Sequence, residues 1–534
     1  MKNLTYILIL VILVATTSCE KFLDTKPKDF PDESGILNTK ENLERALAGI
    51  YKTLGSANLY GLFLFHTSGS YADEAWDSRA NNSTNTYANN SIQGYSHNTA
   101  APDIYGFWKD LYVGIQRANL LLANLPASSA DENLKTSVEG EARFLRAYYY
   151  FLLVTHFGDV PLITDLNYLA DPYLFSRTPS VEIYNWIVNE MQQAEQNVPK
   201  ASDWGYGGRV SKSAVQGILA RVYLHWAGYP VKDESKYAEA KKWAEKVIGS
   251  GEHQLNPSYE NIFIKYAKDE YDIKESIFEV EFNVLDASFY KAYGFVGNNN
   301  GIRGFNSSAT RAYLRVTGRL WNFYNASDKR RDWVISNYIY TSGSYTTKTT
   351  QSTSAIRNIY GLCPGKWRRE YENVVTNSVA TPQNFPLLRY SDVLLMYAEA
   401  DNAVNNGPTK QGMDYVNLVR RRGYKIASVN MNEVTPADLN YLDYNKTEFV
   451  DKVLYEERSR ELCFEGLRQN DLIRWGKLIQ TIQDVSNAFP THGLPNHNAM
   501  IRGTNISEKN LLFPIPQLEY SLNRNLLPNN KGWE

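Results

Sequence analysis

The densest group of side chains able to recognise a polar ligand is Tyr71-Ala-Asp-Glu-Ala-Trp-Asp-Ser-Arg79. A polar ligand can present both an apolar face and a rim of hydrogen-bonding groups. Trp and Tyr planes stack on the first, while Asp, Asn and Arg hydrogen-bond the second. Asp73, Trp76 and Arg79 are therefore candidate ligand-binding residues, with Tyr95 further along the same region. Trp76, set among Asp and Arg, is expected to be exposed. Tyr290, Tyr293, Asn298, Asn299 and Trp321 offer the same chemistry in the middle of the chain. Trp108 shares a helical period with Leu111 and Tyr112, so core packing is expected there.

A second constellation invites a catalytic reading. Glu457, Glu461, Glu465 and Asp471 stand close enough in sequence to supply paired carboxylates for general acid–base work. Glycoside hydrolysis needs one such carboxyl with a raised pKa. Arg458, Arg460, Arg468 and Arg474 are interleaved at three- and four-residue spacings, and guanidinium groups push the pKa down. These residues are therefore expected to form a structural ion network, as are Arg143, Arg146, Arg389 and Asp392. The seven histidines contain no HxxxH or HxH pair, and His156 is expected in a core or capping role. No CxxC exists among the three cysteines, so neither a metal site nor a cofactor is expected.

The chain termini and composition bound what these residues can belong to. Lys2 followed by the apolar run Leu4 to Val14 forms a signal-like start. Its eleven residues fall short of the about 20 needed to cross a bilayer. Cys19 directly follows the small residues Ala15 to Ser18, the placement that lipoprotein processing requires, although Thr16 replaces the usual Leu of that motif. Cys19 is thus the expected lipidation site; plain secretion with a stray cysteine is the alternative. Cys463 is expected to pack as a small hydrophobe, and it could pair with Cys363 only if the fold joined them. Net charge is −2 with both signs interspersed, which makes nucleic acid a poor partner. Aromatics reach 13%, with 38 Tyr and 11 Trp, enough that some are expected on the surface for recognition.

The elements that must hold these residues are mainly helical. Apolar periods predict helices over Thr39–Leu54, Tyr105–Leu125, Glu132–Phe157, Val181–Asn197, Lys212–Ala227 and Ser235–Ser250. Ala214, Gly217, Ala220 and Tyr223 are placed to face Tyr237, Ala240, Ala244 and Val247, at a period of about 34 residues per helix pair, that of tetratricopeptide repeats. Gly55 to Asp103 reads as irregular; six Asn and six Ser/Thr fall between Asn81 and Ala100. So long a loop is expected to be functional. After Glu252, a strand-like run at Ser276 to Phe282 and loops at Gly294–Ser308 and Tyr340–Ser354 interrupt the helices. These resume at Leu388–Asn405, Lys410–Arg421 and Thr447–Ile479. The expected fold is all-α, a tetratricopeptide-like scaffold with loop-rich insertions and minor β. The expected division is 1–18 signal, 19–35 leader, 36–265 N-terminal helical region and 266–534 C-terminal region.

Three segments and the chain's end are more specific than these patterns. They are Glu141-Ala-Arg-Phe-Leu-Arg-Ala through His156-Phe-Gly-Asp-Val-Pro-Leu-Ile163, Phe385-Pro-Leu-Leu-Arg-Tyr-Ser-Asp through Ala400, Glu456-Glu-Arg-Ser-Arg-Glu through Arg474-Trp-Gly476, and Leu512-Phe-Pro-Ile-Pro-Gln517. In this order they resemble the SusD/RagB family of outer-membrane nutrient-binding lipoproteins of Bacteroidetes. The resemblance implies four tetratricopeptide-like helix pairs, a lipid anchor on Cys19, and exposure on the outer membrane. It also implies an oligosaccharide ligand, a SusC-like TonB-dependent transporter as partner, and no enzymatic activity. Ligand residues vary within that family, so the candidates above rest on chemistry and region. An all-α glycoside hydrolase or lyase, and a repeat scaffold with no small ligand, are the competing readings.

Overall fold

The computed structural model describes residues 37, 39–81, 91–166, 174–283, 293–304, 309–341, 343–374, 379–495 and 497–534. The signal-like segment, Cys19, the leader and Tyr290 lie outside them. The chain is mostly helical. In order, α1 (Lys40–Leu54), α2 (Phe63–Tyr71), α3 (Pro102–Asn124), α4 (Glu132–Phe157), α5 (Ser180–Asn197), α6 (Lys212–Ala227) and α7 (Tyr237–Gly249) build the first half. In the second half, α8 (Tyr390–Val404) and α9 (Lys410–Gly423) continue the series. Neighbours pack in succession: α1 on α3, α3 on α4, α4 on α5, α5 on α6, α6 on α7, α7 on α8 and α8 on α9. Side-chain caps start several of them: Thr39 accepts from Asn42 N, Asp131 from Asn133 and Leu134 N, and Ser211 from Ala214 N. No helix of the described residues is long and apolar enough to cross a membrane.

The small residues expected between α6 and α7 are divided between two partners. Ala240, Ala244 and Val247 are buried where α6 and α7 pack. Gly217, however, admits Leu388, a residue of the short strand Phe385–Arg389, against the helix backbone. That strand runs antiparallel to Ser276–Val280. Tyrosines fill the core and use their hydroxyls there. Tyr149 donates to Ile50 O at 2.6 Å, Tyr150 to Ile163 O at 3.0 Å, and Tyr60 and Tyr148 share a 2.5 Å hydrogen bond. His156 is buried with Nδ1 on Leu152 O, and burial pushes its pKa down to about 4.

The helix expected over Thr447–Ile479 is broken. It comprises α10 (Tyr455–Leu462), α11 (Arg468–Arg474) and α12 (Leu478–Thr491), preceded by a π-helical turn at Phe449–Leu454. Between α10 and α11, Phe464 (φ 64°) and Gly466 (φ 75°) take left-handed backbone, which no helix can include. Cys463 caps α10 and is buried; it and Cys363 are free thiols.

Ion pairs bind these elements from inside. Arg330, Arg389, Glu275, Glu457 and Glu461 are fully buried. Arg330 donates to Glu457 at 2.7 Å and to Glu461 at 3.1 Å. Arg389 bridges Glu275, Glu461 and Glu465 at 2.8–2.9 Å. Arg422 closes the lattice on Glu275 at 3.0 Å and Glu461 at 2.6 Å. A second chain runs Arg221–Asp392–Arg458–Asp471–Arg474. Arg143 and Arg146 share Glu190. All the arginines that looked like a scaffold are indeed structural, and Arg389 and Asp392 serve different networks.

Removing one partner from such a lattice leaves buried charges uncompensated. Arg389→Met should lower stability by about 3–5 kcal/mol, read as a fall in the urea midpoint, while Lys410→Ala at an exposed pair should leave it nearly unchanged. A further expectation concerns acid. Burial raises the Glu457 pKa, but Arg330, Arg420 and Arg460 outweigh it and hold the group down at about 2, against an ordinary 4.5. Its folded pKa is depressed, so its stabilisation is complete above about pH 4.5 and is lost as pH falls toward about 2. Glu457→Gln should be less stable at neutral pH and lose less than the parent on acidification; parallel pH profiles of thermal midpoint would contradict this.

Candidate functional site

The region after α1, read as irregular, contains order that depends on distant residues. The strand Ala75–Asp77 pairs antiparallel with Leu314–Val316, Trp76 opposite Arg315. Ser78 N donates to Tyr313 O at 2.7 Å and extends the ladder by one bond. That bond brings Arg79 beside the half-buried Tyr313. The Arg79 guanidinium lies 4.4 Å from the Tyr313 ring centroid. Its Nε donates to Asp77 Oδ1 at 2.9 Å, its Nη2 also binds Asp77, and Nη2 lies 3.1 Å from His66 Nε2. His66 in turn lies 3.5 Å from Asp77 Oδ2.

The electrostatics follow from burial. Burial alone raises the Asp77 pKa, but hydrogen bonds from His66 and Arg79 overcome it, and the carboxyl ends well below its ordinary range. Asp77 is thus a fixed anion under a guanidinium whose side chain keeps 35% of its surface exposed. Arg311, exposed, lies 5.9 Å from the same tyrosine centroid. The result is an open rim with one aromatic ring and two guanidinium groups, one held rigid from behind. These are donors for hydroxyl or anionic oxygens beside an apolar plane.

The other candidates do not join this rim. Asp73 is fully buried; it accepts from Arg468 Nε at 2.8 Å and Nη2 at 2.9 Å, and from the Tyr455 hydroxyl at 3.1 Å. It is a structural brace, and a ligand has no access to it. Trp76, expected to be exposed, is only 6% exposed because it packs edge-on against His497 and Phe489, with ring centroids 4.2 and 6.0 Å away. Tyr95 is buried, stacked 4.3 Å from Tyr71, and donates its hydroxyl to Tyr71 O. Asn298 and Asn299 are buried in the turn Val296–Asn299, where Asn298 O accepts from Ala312 N at 2.8 Å. They shape the loop from below.

Trp321 is half-buried, with the Arg331 guanidinium 4.8 Å from its ring. Tyr293 remains 49% exposed. Trp108 is buried, as its period implied. Sequence reasoning missed His66, Arg311 and Tyr313. Ala312, between Arg311 and Tyr313, takes left-handed backbone (φ 43°), so no period in the sequence marks the two as neighbours.

Comparison with known proteins gives the family. Residues 219–533 match the model of the SusD family, and residues 21–224 match one described as "Starch-binding associating with outer membrane". SusD-like protein P25 of Formosa agariphila is 26% identical over 559 aligned residues, covering 99% of each chain. The crystal structure of a SusD homolog from Bacteroides thetaiotaomicron superposes with a TM-score of 0.83 at 30% identity, covering 94% of this chain and 98% of that one. A laminarin-binding SusD-like protein shares the fold at a TM-score of 0.69 and 22% identity, over 93% of this chain and all of that one. The chain belongs to the SusD family.

Proposed function

We propose that this protein captures oligosaccharides at the outer face of the outer membrane, held there by a lipid on Cys19, and passes them to a SusC-like TonB-dependent transporter. The observation that carries the ligand reading is the Arg79–Asp77–His66 cluster set against Tyr313 on an open rim. It pairs an apolar plane with preorganised donors, which is what a pyranose ring needs. Support for the class comes from relatives: one matching model is described as starch-binding, and one protein of the same fold binds laminarin. The outer-membrane placement has the same support, together with a cysteine at the signal-like boundary.

Capture without turnover fits the carboxylates. Glu457, Glu461 and Asp471 are locked by guanidinium groups with lowered pKa values, which is opposite to a general acid's requirement. Among the described residues burial raises five carboxyls, Glu74 to about 7, Glu279 to about 8, and Glu141, Glu372 and Glu519; the first four are enclosed, where no substrate reaches, and Glu519 is half-buried.

Retention in a glycan affinity gel should fall about tenfold for Tyr313→Ala, with the thermal midpoint little changed, and for Arg79→Ala, whose midpoint should also fall because the buried Asp77 loses a partner. The bound glycan should be recovered at its original length after prolonged incubation. Unaltered retention in both variants would place the site elsewhere, and shortened glycan would favour the hydrolase. Cys19→Ala should move the protein from the membrane to the soluble fraction without altering glycan affinity; continued membrane association would refute the anchor.

A further inference from the structure

We infer that the saccharide taken by this rim is anionic, bearing carboxylate or sulfate ester groups, and that Arg303 and Arg311 select for that charge. This rests on the saccharide reading above. The two arms of the loop that leaves Ile302 and returns at Tyr313 close on each other: a Cβ on Gly304 would lie 3.1 Å from Thr310 Oγ1. Arg303 and Arg311 flank this contact, one on each arm, and both are exposed. Arg311 also lies over Tyr313, whose ring carries Arg79. Arg79 and Arg311 therefore share one ring, with Arg303 on the facing arm.

Their charge is not neutralised locally. Neither Arg303 nor Arg311 forms an ion pair among the described residues, whereas the carboxylates of the surrounding elements are engaged. Asp77 holds Arg79, Glu370 holds Lys348 at 2.7 Å, and Glu372 holds Arg369 at 3.1 Å. An isolated exposed arginine is ordinary solvated surface. Two exposed on facing arms, one of them beside an aromatic ring that also carries Arg79, form a locus where an anion is favoured. Guanidinium suits planar or tetrahedral oxyanions because it presents parallel N–H donors. A neutral glucan uses none of this charge.

The test uses the native protein with amylopectin, polygalacturonate and κ-carrageenan, the last two also in carboxyl-reduced and desulfated form. The expected result is that polygalacturonate or κ-carrageenan binds about tenfold more tightly than its neutralised counterpart, and that this advantage disappears at about 0.5 M salt. Which of the two shows the advantage separates carboxylate from sulfate. The double variant Arg303→Gln/Arg311→Gln should lose the advantage and bind the charged and neutralised polymers alike. Amylopectin as the tightest ligand, or equal binding of charged and neutralised polymers by the native protein, overturns the anionic assignment and leaves saccharide capture standing. No retention of any of these or of other glycans overturns both.

Discussion

A guanidinium or carboxylate stripped of water costs several kcal/mol unless a partner replaces the solvent, and the interior of this protein contains many of both. The constraint is mutual. Glu461 can be buried only because Arg330, Arg389 and Arg422 converge on it, and those arginines are tolerable only with Glu275, Glu457 and Glu465 present. These residues come from α9, α10 and the turn after it, the short helix Arg330–Val334, the segment before Ser276 and the strand ending at Arg389. A partial assembly would strand charges, so the elements must close together. A mostly helical series with loop-rich insertions thereby acquires one shared interior.

The lattice reaches the rim through α10 and α11. The break at Phe464 and Gly466 frees a backbone N–H at Phe464, and Glu74 Oε2 accepts it at 3.1 Å while Glu74 Oε1 accepts from Ser459 at 3.0 Å. Asp73, one residue earlier, is clasped by Arg468. The Thr317 hydroxyl then donates to Asp73 O at 2.7 Å. Residues separated by nearly four hundred positions thus fix where Ala75–Asp77 begins and where the Leu314–Val316 strand meets it. Arg79 and Tyr313 inherit that geometry, so the donors at the rim are oriented before any ligand arrives.

What the sequence revealed follows the range of the forces involved. The helices from α3 to α9 were legible because apolar periodicity and capping are local, as was the structural nature of the arginine–carboxylate runs. The strand within Gly55–Asp103 was not legible, because Ala75–Asp77 forms it only by pairing with residues some 240 positions away. The break in the helix predicted over Thr447–Ile479 was equally hidden: Phe464 adopts left-handed backbone because Glu74 and Lys366 bind the main chain around it. Among candidate ligand residues, chemistry identified the types but not solvent access. Trp76 stands between two aspartates, which suggested exposure, yet alternation along the strand turns it toward Phe489 and His497. The abundance of tyrosine suggested surface recognition, whereas Tyr148, Tyr149 and Tyr150 are buried with satisfied hydroxyls.

Asp73 and Asp77 make the distinction concrete. Each is a buried carboxylate gripped by an arginine, each has its pKa lowered, and they lie four residues apart. At Asp73 the clasping arginine, Arg468, is buried as well, and its bonds to Asp73 and to Tyr455 O hold α11 to the chain, while a second arginine, Arg319, reaches Asp73 at 3.3 Å with 29% of its side chain exposed. At Asp77 the arginine keeps a third of its surface in water and lies over an aromatic ring. The buried carboxylate there restrains a cation that still meets solvent, which preserves its charge and orientation while leaving it able to meet a ligand. The same kind of ion pair is thus a rivet in one place and a restrained, solvent-facing cation in the other. The difference lies in the arginine that clasps each carboxylate, buried at Arg468 and open at Arg79, and depends on tertiary packing that residue type and spacing do not encode.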